Sequence, residues 1–338
     1  MAFLASTTSG DAVIVPPASV AGHVTHHVAG AAGLRGLDVH HAPIDPDRYT
    51  VDVDALRRLA HEVRPTLVTV GGSLNLTHHP VGDIRAIADE VGATVLFDAA
   101  HLGGLIAGGA WPDPLAVGAH VMTMSTYKSL AGPPSGLLVT TDAGIAERVE
   151  AVAYPGLTAN FDVSKTAALA MTLLDWRALG PAYADEMVRS ASRLANELLE
   201  HDLPVRLADG RPTRSHAFAL HTDDGDALAH HLRRAHLLTS AIGVPDDGGR
   251  VGQGRVGGAQ AVRLGTNEAV RWGMREGDMV ELARLIAAAV RSDRPEDLAD
   301  EVSAFRRPFD RVHFVRRPDD EPGPGDAISP AGRREPTS

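Results

Sequence analysis

Three residues, Asp98, His101 and Lys128, have the types and the spacing to do chemistry together. Lys128 lies in VMTMSTYKSLAGPPSG, just past an apolar run that reads as a strand. It is one of only two lysines, with Lys165, among 32 basic residues. The rest of the positive charge is arginine, which cannot attack a carbonyl; a neutral lysine amine can, forming an imine. Asp98 closes the continuous apolar run Thr94–Phe97, and His101 follows three residues later. Ligands of open α/β sheets bind beyond the carboxyl ends of the strands, so the three side chains are placed to converge on one crevice. An imine-forming lysine beside a carboxylate is what pyridoxal phosphate requires. The carboxylate keeps the pyridine nitrogen protonated, and the ring then accepts electrons from a substrate carbanion. A nearby histidine can bond to the phenolic-oxygen side. Each residue also has a plainer reading: Asp98 as a helix cap or loop residue, Lys128 as a surface lysine, His101 as one bland member of 17 histidines. The scarcity of lysine and the apolar, Gly/Pro-rich setting of Lys128 weigh against the plainer one.

The elements that must position these groups follow from hydrophobic periodicity. Val13–Val15, Leu37–Ile44, Leu67–Val70, Thr94–Phe97, Val121–Met124 and Leu137–Val139 read as strands. Asp54–Val63 is helical, with Leu56, Leu59, Ala60 and Val63 on one side and Asp52 or Asp54 as its cap. Val81–Val91 is helical through Ile84, Ile87, Ala88 and Val91. This alternation predicts a mostly parallel sheet covered by helices. From residue 164 onward the texture changes. Met187, Ala191, Leu194 and Leu198 mark a long helix, and Val205–Leu207, Ala217–Leu220 and Ala261–Leu264 read as strands. A helix is expected over 226–237, and Met279–Val290 is a last amphipathic helix. Gly243–Gly258 reads as a mobile loop, and the Pro/Arg/Asp-rich end after Arg307 as disordered. The expected division is a cofactor-binding domain over 1–163, a helical linker with a small α+β domain over 164–305, and a disordered tail over 306–338.

Composition narrows the function classes. The chain has 338 residues, 44% of them hydrophobic, which is enough for a full core and more than one lobe. A net charge of -11 disfavours nucleic acid and anionic membranes as partners. The absence of cysteine excludes disulfides, thiolate nucleophiles and zinc–thiolate sites. No signal segment and no run of about 18 apolar residues is present, so a cytoplasmic location is expected.

DAAHLGGLIAGG followed by MTMSTYKSLAGPPSG resembles serine hydroxymethyltransferase, a fold-type I pyridoxal-phosphate enzyme. The resemblance continues on both sides, in register over residues 11 to 292. GHVTHH is similar to the family segment whose first histidine stacks on the cofactor ring, which implies that role for His23. VGGSLN is similar to the segment supplying a cofactor-contacting serine, here Ser73, and AVRLGTNEAVRWGM to the segment whose arginine holds the substrate carboxylate, here Arg263. By the same resemblance Lys128 forms the imine, Asp98 pairs with the pyridine nitrogen, and His101 and Ser73 contact the cofactor's oxygens or adjacent groups. A bidentate guanidinium suits the carboxylate. The implied fold is an aspartate-aminotransferase-like large domain with a smaller α+β C-terminal domain. The implied chemistry acts at the Cα–Cβ bond of a β-hydroxy amino acid.

The sequence also departs from the family pattern. That pattern extends further toward the N terminus, where it supplies the first strands, a Ser/Gly-rich phosphate-binding turn and residues reaching a neighbouring subunit. The large domain is therefore expected to be incomplete, and Ser6–Gly10 is a poor replacement for the turn. Tyr127 stands where the family has histidine, Pro134 where it has arginine, and Leu157–Asn160 where it has a Gln-Gly-Gly turn. These changes count against folate use. Tyr127 enters the candidate catalytic set because it can stack or donate a hydrogen bond, although it does not titrate near neutrality. The leading expectation is glycine/serine hydroxymethyl transfer. The alternatives are a β-hydroxy amino acid aldolase or transaldolase, a truncated or split homologue inactive without a partner chain, and a binding module without catalysis. A homodimer, or a heteromeric partner supplying the N-terminal elements, is expected.

Overall fold

The computed structural model describes residues 1–245 and 260–317. Helix α1 (Ala2–Ser6) precedes strand β1 (Ala12–Val15), and α2 (Ala31–Leu34) leads to β2 (Asp38–His41). A short hairpin of β3 (Ile44–Asp45) and β4 (Thr50–Val51) is followed by α3 (Val53–Val63), β5 (Leu67–Gly71), α4 (Val81–Val91) and β6 (Thr94–Asp98). Then come α5 (Gly103–Ala107), β7 (Val121–Ser125), β8 (Gly136–Thr140) and α6 (Ala143–Ala151). The six main strands form one sheet in the order β2-β1-β5-β6-β7-β8, parallel except where β8 returns antiparallel to β7. Strand β5 is buried at every position, as both-face coverage by helices requires.

Local chemistry sets the helix ends. The Asp52 carboxylate accepts from Ala55 N at 2.9 Å and starts α3, settling the choice between Asp52 and Asp54. The expected strand Leu37–Ile44 is two pieces, β2 and β3, divided at Ala42-Pro43; proline has no N–H to continue a ladder.

The long α7 (Val163–Glu200) links this sheet to a second unit. That unit holds β9 (Ala217–His221), α8 (Gly225–Arg234), β10 (Ser240–Ile242), β11 (Ala261–Gly265), α9 (Asn267–Arg271), α10 (Met279–Arg291) and α11 (Ala299–Arg306). Its antiparallel sheet runs β10-β11-β9. Its core is built on Leu194, Leu198, Phe218, Leu220, Val262, Leu285 and Ile286. The expected strand Val205–Leu207 is reduced to a single bridge between Val205 and Leu220. The glycine-rich loop expected at Gly243–Gly258 lies, from residue 246, outside the described residues. Within 307–317, assigned from sequence to the disordered tail, His313–Arg316 hold to α7 and α9; residues 318–338 lie outside the described residues.

Candidate functional site

Asp98 ends β6 at the level of Gly71 on one neighbouring strand and Thr123 on the other. Gly71 has φ +86, and a Cβ there would stand 2.4 Å from Asp98 O, so the approach of β5 to the aspartate needs glycine. The carboxylate is buried. Its Oδ1 accepts from Ala100 N at 3.0 Å, and its Oδ2 lies 3.4 Å from His26 Nε2. His26 Nδ1 is 3.3 Å from Thr69 Oγ1, so the imidazole bridges β5 and β6 behind the carboxylate. Burial holds His26 below the ordinary histidine value, opposed by the charge of Asp98.

Lys128 stands in the turn that joins β7 to β8. Thr126 fixes that turn: its hydroxyl reaches the carbonyls of Pro133 and Ser135 at 2.5 and 2.8 Å, and its carbonyl accepts from Gly132 N at 2.7 Å. Ser129, fully buried, ties the turn to the segment after β6. Its hydroxyl donates to His101 O at 2.6 Å and accepts from Gly104 N at 3.0 Å. Sequence neighbours of Lys128 and His101 are thereby locked together, and the side chains follow. Lys128 Nζ lies 3.1 Å from His101 Nε2.

Arg263 reaches the same nitrogen from the other lobe. From mid-β11, its Nη1 lies 3.2 Å from His101 Nε2 and donates to Ser73 O at 2.6 Å. A guanidinium only donates, so His101 Nε2 is an acceptor and the ring proton belongs on Nδ1. Burial pushes His101 down to about 2, with the charges of Arg263 and Lys128 adding to it. Burial also holds the Lys128 amine below the ordinary lysine range; Asp98 opposes this and Arg263 reinforces it. A lysine that loses its proton more readily is a better nucleophile near neutrality.

The structure thus brings Asp98, His101, Lys128, Arg263 and Ser73 into one crevice between the lobes. Ser73 contributes its carbonyl to Arg263, a different contact from the serine hydroxyl suggested by the sequence. His23 caps a short turn, with its Nδ1 2.6 Å from Thr25 Oγ1, and lies within electrostatic reach of His101. Tyr127 is 54% exposed and takes no part in these contacts. The Ser6–Gly10 segment closes on itself: Asp11 takes the Thr8 N–H at 2.8 Å and the Thr8 hydroxyl at 2.9 Å, placing a carboxylate where a phosphate would need donors.

Three further residues escaped the sequence reading. His26, second histidine of GHVTHH, was signalled only by sharing a turn with His23. His216, just before β9, is buried, leaves Nδ1 without a partner among the described residues, and is held at about 4 by burial and the Arg263 charge. Tyr49 is buried with its hydroxyl likewise unpartnered, within electrostatic reach of Arg263. Neither His216 nor Tyr49 carries a local motif.

A six-stranded, mostly parallel sheet with a lysine past one strand, an aspartate at the end of its neighbour and an arginine from a small lobe defines a fold-type I pyridoxal-phosphate protein. The donor set fits the ring end of that cofactor: an amine for its aldehyde, a buried carboxylate for its pyridine nitrogen, and an imidazole acceptor between them. A model of the serine hydroxymethyltransferase family matches residues 2–286, and the chain belongs to that family. It is 49% identical over 319 residues to an alpha-methylserine aldolase of Ralstonia sp, covering 93% of this chain and 72% of that protein. An alpha-methylserine aldolase of Variovorax paradoxus is 52% identical over 291 residues, covering 85% of this chain and 65% of that one. The serine hydroxymethyltransferase of Methanopyrus kandleri is 36% identical over 317 residues, covering 93% and 73%. In fold, the chain is similar to the L-threonine transaldolase of Pseudomonas fluorescens, with a TM-score of 0.82 and 24% identity over 92% of this chain and 70% of that one. Pyridoxal 5'-phosphate is the cofactor that family membership brings; nothing in these likenesses supports folate. Among the described residues, no helix is long and apolar enough to cross a membrane.

Proposed function

We propose that the chain cleaves and forms the Cα–Cβ bond of a small β-hydroxy amino acid as an aldolase, with an α-substituted serine as its preferred substrate. The observation that carries the chemistry is the convergence of Lys128 and Arg263 on His101 Nε2, at 3.1 and 3.2 Å. The two alpha-methylserine aldolases, at 49% and 52% identity, support the choice of substrate over hydroxymethyl transfer to folate.

When bound, pyridoxal phosphate would supply an electron sink for the pair left on Cα, and the β-hydroxyl proton would pass to solvent water as the aldehyde leaves. Lys128 would hold the cofactor's aldehyde carbon, and Asp98 would pair with its pyridine nitrogen, with His26 behind the carboxylate. His23 covers the ring, and Ser73 positions Arg263 through its carbonyl. Arg263 takes the substrate carboxylate with its forked donors. His101 is too weak a base to carry a proton at neutral pH, so it serves as a neutral acceptor that orients Lys128 and the oxygen beside it. A carboxylate bound on Arg263 offsets one of the two charges that suppress His101. Tyr127, exposed and outside the contacts of this cluster, takes no catalytic role in this proposal.

A second copy of the chain is proposed to cover Leu157, Phe161, Val163 and Met171, which are 56%, 79%, 67% and 58% exposed within the stretch 157–171. That copy, or another partner chain, is the proposed source of donors for the cofactor's phosphate. The proposed setting is cytoplasmic. The test is formaldehyde release from α-methylserine with pyridoxal phosphate present, beside serine with and without tetrahydrofolate, with Lys128→Ala as control. Release from α-methylserine without folate, lost in the variant, is expected. Turnover of serine dependent on folate, with none of α-methylserine, would favour hydroxymethyl transfer.

A further inference from the structure

Residues 311–316, beyond the segment matched by the family model, lie across α7 and α9 as a strap. Every attachment is specific. His313 N donates to Arg271 O at 2.8 Å, and Arg271 Nη1 returns a bond to Phe314 O at 2.8 Å. Arg316 reaches Asp175 Oδ1 through its backbone N–H at 3.1 Å and its Nε at 3.3 Å. Gly273 makes room for His313: a Cβ there would stand 2.7 Å from the His313 Nε2 atom, and its φ is +106.

At the centre of the strap, the Phe314 ring stacks on Tyr183 with centroids 4.8 Å apart and planes 19° from parallel. Arg275 covers the Phe314 ring at 4.9 Å. Tyr183 in turn packs on Trp176 at 5.3 Å. Both of these rings are buried, and each ends in a hydrogen bond to a chain segment of the site. Trp176 Nε1 donates to Leu130 O at 2.7 Å, two residues past Lys128. Tyr183 Oη donates to Asn267 O at 2.7 Å, four residues past Arg263. One aromatic stack therefore holds both the lysine turn and the exit of the arginine strand.

We propose that this strap is a positioning device for the catalytic pair, and that Phe314 is a positioning residue acting on Lys128 and Arg263 through Tyr183 and Trp176. The strap rests on the two α7 rings whose own hydrogen bonds end on Leu130 O and Asn267 O, so its Phe314 contact bears on both chain segments. The proposal rests on the reading of Lys128 as the reactive amine.

The scarcity of lysine supplies the test. Acetylation of the full chain by a limiting amine-reactive ester, read by peptide mass, reports Lys128 against Lys165, which is exposed on α7 and serves as internal reference. Measured across pH in wild type, Phe314→Ala, Phe314→Tyr and Asp175→Asn, the midpoint for Lys128 is the readout. Burial is the largest cause of its lowered value, so loosening the turn raises the midpoint. The expected shift in Phe314→Ala is roughly half to one unit, up to about a tenfold change in neutral amine at fixed pH. Phe314→Tyr, which keeps the stack, is expected to match wild type. Asp175→Asn, which removes the Arg316 anchor, is expected to shift partway, and it decides the question if Phe314→Ala fails to fold. Folded variants whose Lys128 midpoints equal the wild-type value would overturn the strap. A wild-type Lys128 that titrates as an ordinary lysine and is not captured by pyridoxal phosphate and borohydride would overturn the site reading and the strap with it.

Discussion

Replacing Arg263 with alanine isolates what the guanidinium does for substrate. In the structure Arg263 is held in place by Ser73 O at 2.6 Å and faces His101 Nε2 at 3.2 Å, leaving the rest of its fork for a ligand. A bidentate pair with a carboxylate is two charge-assisted hydrogen bonds, each worth about 1.5–3 kcal/mol when water is largely excluded. Their loss is about 3–6 kcal/mol. Part is recovered because water enters the gap, so about 3 kcal/mol, roughly a hundredfold in kcat/KM, is a fair expectation. The assay compares α-methylserine with 2-amino-1-propanol, which keeps the amine and hydroxymethyl group but lacks the carboxylate. Wild type should prefer the amino acid by about that factor, and Arg263→Ala should remove the preference. Arg263→Lys keeps the charge without the fork and should fall between. An equal loss for both substrates would refute the reasoning, because the effect would then come from the collapse of the crevice.

Asp98→Asn should keep Lys128 able to capture pyridoxal phosphate while reducing turnover by about a hundredfold or more, since a neutral amide does not hold the ring nitrogen protonated; capture is read by borohydride and peptide mass. The same substitution should lower the pH at which Lys128 is captured, because the Asp98 charge raises the lysine value, whereas Arg263→Ala should raise it. Acid should unfold the protein steeply. His79, His101 and His216 stand at about 4, 2 and 4 when folded. Unfolded histidines take up protons near 6.5, so the stability these three confer is complete above that pH and is lost as pH falls toward their folded values. With three such groups the slope is about 4 kcal/mol per pH unit between roughly pH 6 and 4, readable from urea midpoints. Gly71→Ala should cost about 3 kcal/mol, from the left-handed φ and the clash with Asp98 O, and should perturb the site along with the melting point.

How much was legible depended on where a residue's signal lives. Asp98 and Lys128 were readable because apolar strands announce their own ends, and strand ends are where α/β sheets place ligands. Arg263 was readable only by resemblance: a lone arginine in AVRLG has no local signature, and its partners, Ser73 and His101, are far away in sequence. Ser73 was read for its side chain, whereas the contact seen is its carbonyl to Arg263; backbone contacts leave no trace in residue type. The strap was missed because its surroundings read as disorder. The six residues Arg311–Arg316, RVHFVR, sit inside a Pro/Arg/Asp-rich end and are too few to show a period. It is fixed by one aromatic stack and cation–π contacts, which depend on tertiary neighbours. Strand β10 is three residues long, too short for a period to show.

The electrostatics of the crevice are arranged for a ligand that brings negative charge. Lys128 and Arg263 both point at one acceptor atom, His101 Nε2, which has a single lone pair to offer. One of them is always left incompletely bonded, and Asp98, the carboxylate in their company among the described residues, is already engaged by Ala100 N and His26. Burial is the main reason that Lys128 and His101 lie below their ordinary values, and the neighbouring positive charges add to it. A substrate carboxylate on Arg263 or the cofactor's aldehyde on Lys128 would relieve the conflict over that atom. That shared conflict can be relieved only once, so through this contact binding each should weaken the other: pyridoxal phosphate affinity should fall when the amino acid is present, and by linkage the amino acid should bind less tightly to the loaded protein by the same factor. Titrating the cofactor with and without α-methylserine measures that factor in wild type, and the argument requires it to shrink in Arg263→Ala. A factor unchanged by the substitution would mean that the two positive groups do not compete for His101.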